Sequence, residues 1–186
     1  MSAACPPDGP RPERMHRLFF ALWPRDALRA SLAPGIHALQ PSGVGRPQRP
    51  DQWHLTLEFL GPVPGARLAD ARAAADAVQA APCEIWLDAV EFWRRPEVLC
   101  LVARETPPAL AELVAQLRSS LVAHGFQVES RPFRAHLTLA RKVHHPVETA
   151  PFAALRWPVE SFALVESVTD RTGSVYTPLA HWPIGP

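Results

Sequence analysis

One tetrapeptide, His-Leu-Thr-Leu, occurs twice in the chain, at residues 54–57 and 136–139. In a β-strand, residues i and i+2 lie on one face, so each His would stand beside its own Thr while the leucines point into a core. Each copy therefore offers a proton-transfer group and a hydroxyl donor on a common surface. A single His-x-Thr triplet arises easily by chance, whereas two identical copies in similar contexts indicate two related halves that face one cleft.

Two histidines and two threonines in one cleft match the needs of in-line displacement at phosphorus. One imidazole can take a proton from water while the other gives a proton to the leaving oxygen, and an ordinary His pKa of about 6.5 suits both tasks near neutral pH. The hydroxyls of Thr56 and Thr138 can donate to the non-bridging oxygens as charge builds there. The residues therefore predict a catalytic pair, His54 and His136, without deciding which histidine is the acid.

The second copy lies in a basic segment, residues 131–145, which contains no Asp or Glu. Guanidinium groups suit bidentate binding of phosphate, and Arg141 lies just past the predicted strand, where it could reach the same substrate. The alternative interpretation of any one of these charges is a solvated strand end.

Hydrophobic patterning predicts the elements that hold these residues. The predicted helices are residues 26–33, kinked or ended by Pro34-Gly35, residues 64–80, and a helix opened by Pro107-Pro108 and stopped by Gly125. Strands are predicted at residues 17–23, 53–60, 83–93, 98–103, 133–140, 159–168 and 174–181, with a hairpin turn at 94–97. Residues 41–50 and 144–158 are expected to be irregular. This order predicts an α+β fold with helices on one side of the sheets.

Composition limits the classes of protein that fit. The chain has 186 residues, 47% hydrophobic and 20% charged, a balance that excludes a fully disordered chain. Its net charge is only +1, so affinity for phosphate must come from a local cluster. No apolar run is long enough to cross a bilayer and the first ten residues lack a signal-peptide core, so a cytoplasmic protein is expected. Residues 1–14, with four prolines, are expected to form a flexible tail before a single domain at 15–186.

Other catalytic classes find little support in the sequence. Three scattered cysteines, at positions 5, 83 and 100, do not form a disulfide framework or a Cys-based metal site. His144-His145 has no matching Cys or carboxylate cluster nearby, so no metal is predicted. The chain has neither a nucleophile-elbow serine nor a Gly-rich phosphate loop followed by Lys. Trp53, next to His54, is expected either to pack in the core or to line the cleft.

The paired motifs in their settings resemble those of the 2H phosphoesterases, specifically the RNA 2′,3′-cyclic phosphodiesterases of the LigT-like group. The first motif carries the family's Phe-Leu-Gly tail, which ends at Gly61, and the second lies within Arg-Pro-Phe-Arg-Ala-His-Leu-Thr-Leu-Ala-Arg, residues 131–141. The apolar run from Arg17 resembles the opening strand, and residues 164–167 and 176–182 resemble the closing strands. The resemblance covers residues 15–183 and implies a bilobal α+β fold with a pseudo-two-fold, two antiparallel sheets facing a central groove and helices outside.

The same resemblance implies a reaction and a role for each site residue. It implies hydrolysis of a 2′,3′-cyclic phosphate at an RNA 3′ end to a 2′-phosphate, with His54 as proton donor and His136 as proton acceptor. By the same likeness the phosphate would be held by Thr56, Thr138 and Arg141. Phe59 would stack on a base, although strict strand alternation places it on the leucine face. We expect no metal or other cofactor, and a monomer, because one chain supplies both halves of the groove.

Three alternatives remain open at the level of sequence. The same site run in reverse would join RNA ends through a 2′,5′ linkage, although the high concentration of water favours hydrolysis. A related enzyme would act on small cyclic nucleotides or on 2′,5′-oligonucleotides, a preference set by loop contacts. A non-catalytic module would bind RNA ends, but the presence of both histidines and both threonines argues against lost catalysis.

Overall fold

The computed structural model describes residues 14–40, 42–171 and 173–185, so nearly all of the expected tail at residues 1–14, Cys5 included, lies outside the described residues. Three α-helices are formed in the described part: α1 (Asp26–Leu39), α2 (Leu68–Asp76) and α3 (Pro108–Ala123). Ten strands accompany them: β1 (Met15–Leu22), β2 (Arg46–Pro47), β3 (Leu55–Pro64), β4 (Cys83–Leu87), β5 (Ala89–Trp93), β6 (Val98–Val102), β7 (His136–Arg141), β8 (Leu155–Val159), β9 (Ser161–Asp170) and β10 (Gly173–Pro183).

The strands form antiparallel sheets that meet at the repeated motifs. One half has the strand order β10-β9-β1-β3 and the other the order β7-β6-β5, with the short β2 on β7; β4 and β8 pair separately. In the part of the chain that the structure describes, the two halves are joined by one residue pair, Leu55 of β3 opposite Leu137 of β7. A local two-fold axis therefore passes between Leu55 and Leu137, the second residue of each tetrapeptide, as the repeat predicted.

The motif leucines anchor this junction in the hydrophobic core. Leu55, Leu57, Leu137 and Leu139 are all buried, as the alternation of each tetrapeptide predicts. One face of α3 carries apolar residues at helical spacing, and these are buried in the same core cluster: Leu110, Leu113, Val114, Leu117 and Leu121. Burial on this scale holds both motif strands against the helices, since each buried Leu contributes about 1.5–3 kcal/mol.

Two predicted helices end elsewhere. α1 does not end at Pro34 but continues to Leu39, because Ile36 and Leu39 in its last turn are buried and outweigh the lost backbone hydrogen bond. The helix predicted at residues 64–80 is shorter than expected. Residues 65–67 form a 3₁₀ turn, and the α-helix itself spans only Leu68–Asp76.

The strand predicted at residues 83–93 is two strands in different sheets. The chain changes sheets at Asp88, whose N–H donates to the Val102 carbonyl (3.0 Å) while its carboxylate accepts from the Arg104 N–H (3.0 Å). The first piece, β4, pairs with β8, which lies within the segment expected to be irregular except for its last residue, Val159. Pairing across the chain, with Ile85 opposite the buried Trp157, makes β8 a strand despite its proline.

β3 also runs further than expected, through Gly61 and Pro62 to Pro64. Gly61 has a φ of +71°, a value that favours glycine, and residues 61–64 still pair with β1.

Among the described residues, no helix is both long enough and apolar enough to span a membrane.

Candidate active site

The junction of the two sheet halves brings both predicted histidines and both predicted threonines together. Because Leu55 pairs with Leu137 in an antiparallel register, His54 lies across from Thr138 and Thr56 lies across from His136. Each His is therefore next to its own Thr along the strand and next to the other Thr across the strands. All four side chains are half-buried rather than fully enclosed in the core.

The two imidazoles are held by the same kind of hydrogen bond. His54 Nδ1 lies 2.6 Å from the carbonyl oxygen of Gln52, and His136 Nδ1 lies 2.8 Å from the carbonyl oxygen of Arg134. A carbonyl only accepts, so Nδ1–H is the donor in each neutral ring. Each ring therefore keeps its Nε2 lone pair free to bind or exchange a proton with a substrate.

Aromatic side chains surround His54. Its ring centroid lies 5.0 Å from that of Phe19, 5.1 Å from that of Tyr176 and 5.8 Å from that of Trp23, which stacks on it. Burial lowers the pKa of His54 to about 4, against the Gln52 hydrogen bond, which raises it. The positive charges of Arg141 and His136 lower it further.

His136 has a more polar setting. The Trp93 ring centroid lies 4.5 Å from that of His136, and the Arg134 guanidinium lies over the Trp93 ring, 5.7 Å from its centroid. Burial is again the main cause that lowers the pKa of His136, with Arg134 and Arg141 adding to it. Both imidazoles are thus neutral bases near pH 7 in the free protein, and a bound phosphate anion would raise the pKa of each.

Thr138 and Arg141 lie on β7 beyond His136. The side chain of Thr138 is hydrogen-bonded to Cys100, directly across on β6, and burial raises the pKa of that thiol to about 12. Cys100 is therefore a neutral packing residue, as its apolar surroundings predict. Arg141 ends β7 with an exposed side chain, and its charge acts on the pKa of both histidines.

A cleft of about 450 Å³ opens beside His136. Its floor contains Thr56 and His136, its aromatic walls are Phe59, Trp93 and Phe133, and its arginines are Arg95, Arg118, Arg131 and Arg134. Three of these arginines have carboxylate partners: Arg118 with Glu58, Arg131 with Glu129 and Arg134 with Glu91. The predicted basic segment thus lines one wall of this cleft, with part of its charge already paired.

Phe59 lies on the cleft side of β3, where strict alternation would not place it. A register shift between β1 and β3 skips Leu57, so that Thr56 pairs with Ala21 but Glu58 pairs with Phe20. This bulge reverses the alternation, turns Glu58 into the core and leaves Phe59 45% exposed. The Arg17 guanidinium lies 4.6 Å from the centre of the Phe59 ring.

The Glu58 side chain, which the bulge turns toward the core, connects the cleft wall to the core through hydrogen bonds. Its carboxylate, 2% exposed, accepts from Arg118 Nε at 2.5 Å and from the Glu129 N–H at 2.7 Å. These bonds tie α3 and the loop that carries Arg131 to β3. This role could not be predicted from the sequence, because Glu58 occupies a position that strand alternation assigns to the surface.

Several residues of the site escaped the sequence prediction. Trp23, just after β1, and Tyr176 on β10 lie around His54, and Trp93 on β5 lies beside His136; all three are distant in sequence from the histidine they contact and carry no local motif. Trp53, which was expected in either place, belongs to the core: it is fully buried, and its Nε1–H donates to the Gln48 carbonyl at 3.1 Å. Among the described residues, no group of three or more His, Cys, Asp or Glu side chains is arranged to hold a metal ion.

The fold and the paired motifs are those of a 2H phosphoesterase. A model of the 2′-5′ RNA ligase superfamily matches residues 25–171, and the chain belongs to this family. It is similar to two proteins named RNA 2′,3′-cyclic phosphodiesterase. The protein from Escherichia coli is 33% identical over 89% of this chain and 95% of its own length, and that from Thermus thermophilus is 34% identical over 88% and 87%.

Solved structures support the same assignment. The crystal structure of E. coli LigT complexed with 3′-AMP matches with a TM-score of 0.83 and 30% identity, over 93% of this chain and all of that one. The crystal structure of TT0787 from T. thermophilus matches with a TM-score of 0.73 and 31% identity, over 90% and 97%. The predicted α+β fold and the predicted family are therefore confirmed.

Proposed function

We propose that this chain hydrolyses the 2′,3′-cyclic phosphate at the 3′ end of RNA to a 2′-phosphomonoester. One observation carries the proposal. The Leu55–Leu137 pair places two identical His-x-Thr strands side by side and antiparallel, and both imidazoles make the same kind of Nδ1 hydrogen bond. Such a site offers two proton-transfer groups and two hydroxyl donors around one point, which suits a phosphate. The activity named for the similar proteins from E. coli and T. thermophilus agrees with it.

In the proposed reaction His136 is the base. Its free Nε2 takes a proton from a water molecule as the water oxygen attacks phosphorus, and the bond from phosphorus to O3′ breaks on the opposite side. The open cleft beside His136 supports this role, because it gives water a path to the attacking side. The phosphate stays attached through O2′.

His54 is the proposed acid, which gives its Nε2 proton to the departing O3′. Because its pKa is about 4 in the free protein, His54 must take up this proton from solvent as the substrate binds, when the phosphate anion raises that pKa by direct attraction. The assignment of acid and base to this order rests on the family resemblance. No metal takes part in the proposed reaction.

The remaining site residues are proposed to hold the phosphate. The hydroxyls of Thr56 and Thr138 donate to the two non-bridging oxygens, and Arg141 balances the charge that grows on them. Phe59, exposed on the cleft side of β3, is proposed to stack on a base. We also propose that residues 15–186 act as one domain and as a monomer, which light scattering at several concentrations would test.

A second activity deserves a test because of the size of the cleft. At about 450 Å³, the cleft beside the proposed base has room for more than water. A 5′-hydroxyl bound there would give its proton to His136 and attack the same phosphorus, with O3′ leaving as before. The product would be a 2′,5′ linkage between two RNA ends.

The test is an assay on an oligonucleotide that ends in 2′,3′-cyclic phosphate, compared with a nucleoside 2′,3′-cyclic phosphate. We expect a 2′-phosphate product, and losses of about 10²–10⁴-fold in His54→Ala and in His136→Ala. The double variant should lose little more, because the two groups act as one unit. His124→Ala, at the end of α3, is the control and should remain active. A folded His136→Ala enzyme with normal turnover would refute the proposal.

A further inference from the structure

The carbonyl groups that orient the two histidines belong to residues outside the strands. Gln52 ends a 3₁₀ turn before β3, and Arg134 lies in the loop before β7. Neither carbonyl is fixed by the ladder of hydrogen bonds within a sheet. The direction of each carbonyl therefore depends on the other contacts that hold its residue in place.

On the His54 side, the residue is Gln52, and the hydrogen bonds of its side chain hold it in place. Gln52 is 8% exposed, and its Nε2–H donates to the Ser174 carbonyl of β10 at 2.7 Å. Its Oε1 accepts from the Arg49 N–H at 3.2 Å. One buried amide thus links β10 to the turn, while the backbone carbonyl of the same residue accepts from His54 Nδ1–H at 2.6 Å.

The His136 side repeats the arrangement with charged groups. Arg134 Nη2 donates to Glu91 Oε1 on β5 at 2.8 Å, while the Arg134 carbonyl accepts from His136 Nδ1–H at 2.8 Å. The other oxygen of Glu91 accepts from Trp93 Nε1–H at 2.9 Å, and the Trp93 ring packs on His136. These bonds to Arg134 and Trp93 hold the pKa of Glu91 below its usual range, so the anchor is charged near pH 7.

We propose that Gln52 and Arg134 are positioning residues, each of which fixes the Nδ1–H tautomer of the histidine two positions later through a side-chain anchor on a neighbouring strand. The side-chain anchor fixes the direction of the backbone carbonyl, and the carbonyl accepts a hydrogen bond from Nδ1–H. The Nε2 atom then has no hydrogen and is available for the reaction. In the other tautomer, Nε2 would carry the hydrogen and the proposed base could not accept a proton. The proposal rests on the proposed function for its catalytic meaning, but its geometry does not depend on the substrate.

On the His54 side, the test compares two identical substitutions at equally buried glutamines. Gln52→Met removes the anchor and keeps the backbone, whereas Gln48→Met is the matched control: Gln48 is also 8% exposed, and its backbone bonds to Leu139 and Trp53 remain. We expect kcat to fall about 10–100-fold in Gln52→Met with little change in KM. Gln52→Glu keeps an acceptor for Arg49 but replaces the donor to Ser174 with a negatively charged acceptor, so it also breaks the anchor and decides the case if the Met variant does not fold.

On the His136 side, the test uses Glu91→Gln. Glu91 does not line the cleft, so its substitution weakens the Arg134 anchor without removing a group that contacts substrate. Glu84→Gln is the matched control, since Glu84 also lies on a strand and also pairs with an arginine, Arg156, far from the histidines. We expect a fall in kcat for Glu91→Gln and none for Glu84→Gln.

The ¹⁵N NMR spectrum of the imidazoles, recorded without substrate above pH 7, reports the tautomer of each ring. A purely structural role of Gln52 or Glu91 would leave this spectrum unchanged. The wild type should show Nδ1–H at both histidines, Gln52→Met should mix tautomers at His54, and Glu91→Gln should mix them at His136. Unchanged tautomers in the folded variants, or a loss confined to KM, overturn the proposal. If the wild type shows the predicted tautomers but hydrolyses no cyclic phosphate, the proposed function fails while the positioning role stands.

Discussion

The burial of His54 among aromatic rings predicts that acid destabilises the folded protein. Its pKa is about 4 in the folded chain and about 6.5 when unfolded, so between these values the unfolded chain binds a proton that the folded chain does not. The free energy of unfolding must then fall as the pH falls through this window. Above about pH 7 the ring is neutral in both states and adds no pH dependence.

The expected size follows from the same two values. A folded pKa of about 4 against about 6.5 corresponds to about 3 kcal/mol of stability that is present at pH 7 and lost by pH 4. This is a large share of the stability of a typical domain, which is about 5–15 kcal/mol. The effect belongs to one side chain, so one substitution should remove it.

Urea unfolding, followed by tryptophan fluorescence at several pH values from 7 to 4, measures this effect. His54→Gln keeps a donor for the Gln52 carbonyl but cannot titrate, so its stability should fall with acid by about 3 kcal/mol less than that of the wild type. His124→Gln, at the end of α3, should follow the wild type. If His54→Gln and the wild type lose stability in parallel, or if His54 titrates near its ordinary value by NMR, the burial argument is wrong.

Three further outcomes are expected. Thr56→Ala and Thr138→Ala should each cost less turnover than loss of a histidine, because proton transfer remains and one donor to phosphate oxygen is lost; comparable losses would contradict this division of roles. Glu58→Leu should lower the free energy of unfolding by about 3 kcal/mol, because it leaves Arg118 and the Glu129 N–H without their buried acceptor, whereas Glu84→Gln at the surface should change it little in the same urea titration. Hydrolysis should persist in EDTA, and activity that vanishes there and returns with a divalent ion would show that a metal takes part.

The sequence was sufficient to predict the histidine strands because their pattern is local. A leucine on each side of Thr56 and Thr138 fixes which face is buried, and the exact repeat indicates that the two faces belong to one site. The helix α3 was equally accessible, since its apolar stripe and Gly125 lie within one stretch of chain. In each case one short segment contains both the pattern and its consequence.

The parts that escaped prediction depend on contacts between distant segments. The bulge at Leu57, which moves Phe59 to the cleft and Glu58 to the core, follows from how β3 pairs with β1. Tyr176 reaches His54 from the last strand, and no local signal marks it. Likewise β8 is a strand because β4 lies beside it, not because its own residues favour one.

In the described part of the chain, the pair of Leu55 with Leu137 that joins the sheet halves lies between the two histidines. A slip of this pairing by one residue would turn the leucines of one motif toward the exposed face and its histidine and threonine toward the core. The buried leucines oppose such a slip, because it would expose them to water. The stability of the core and the spacing of the two imidazoles therefore depend on the same register.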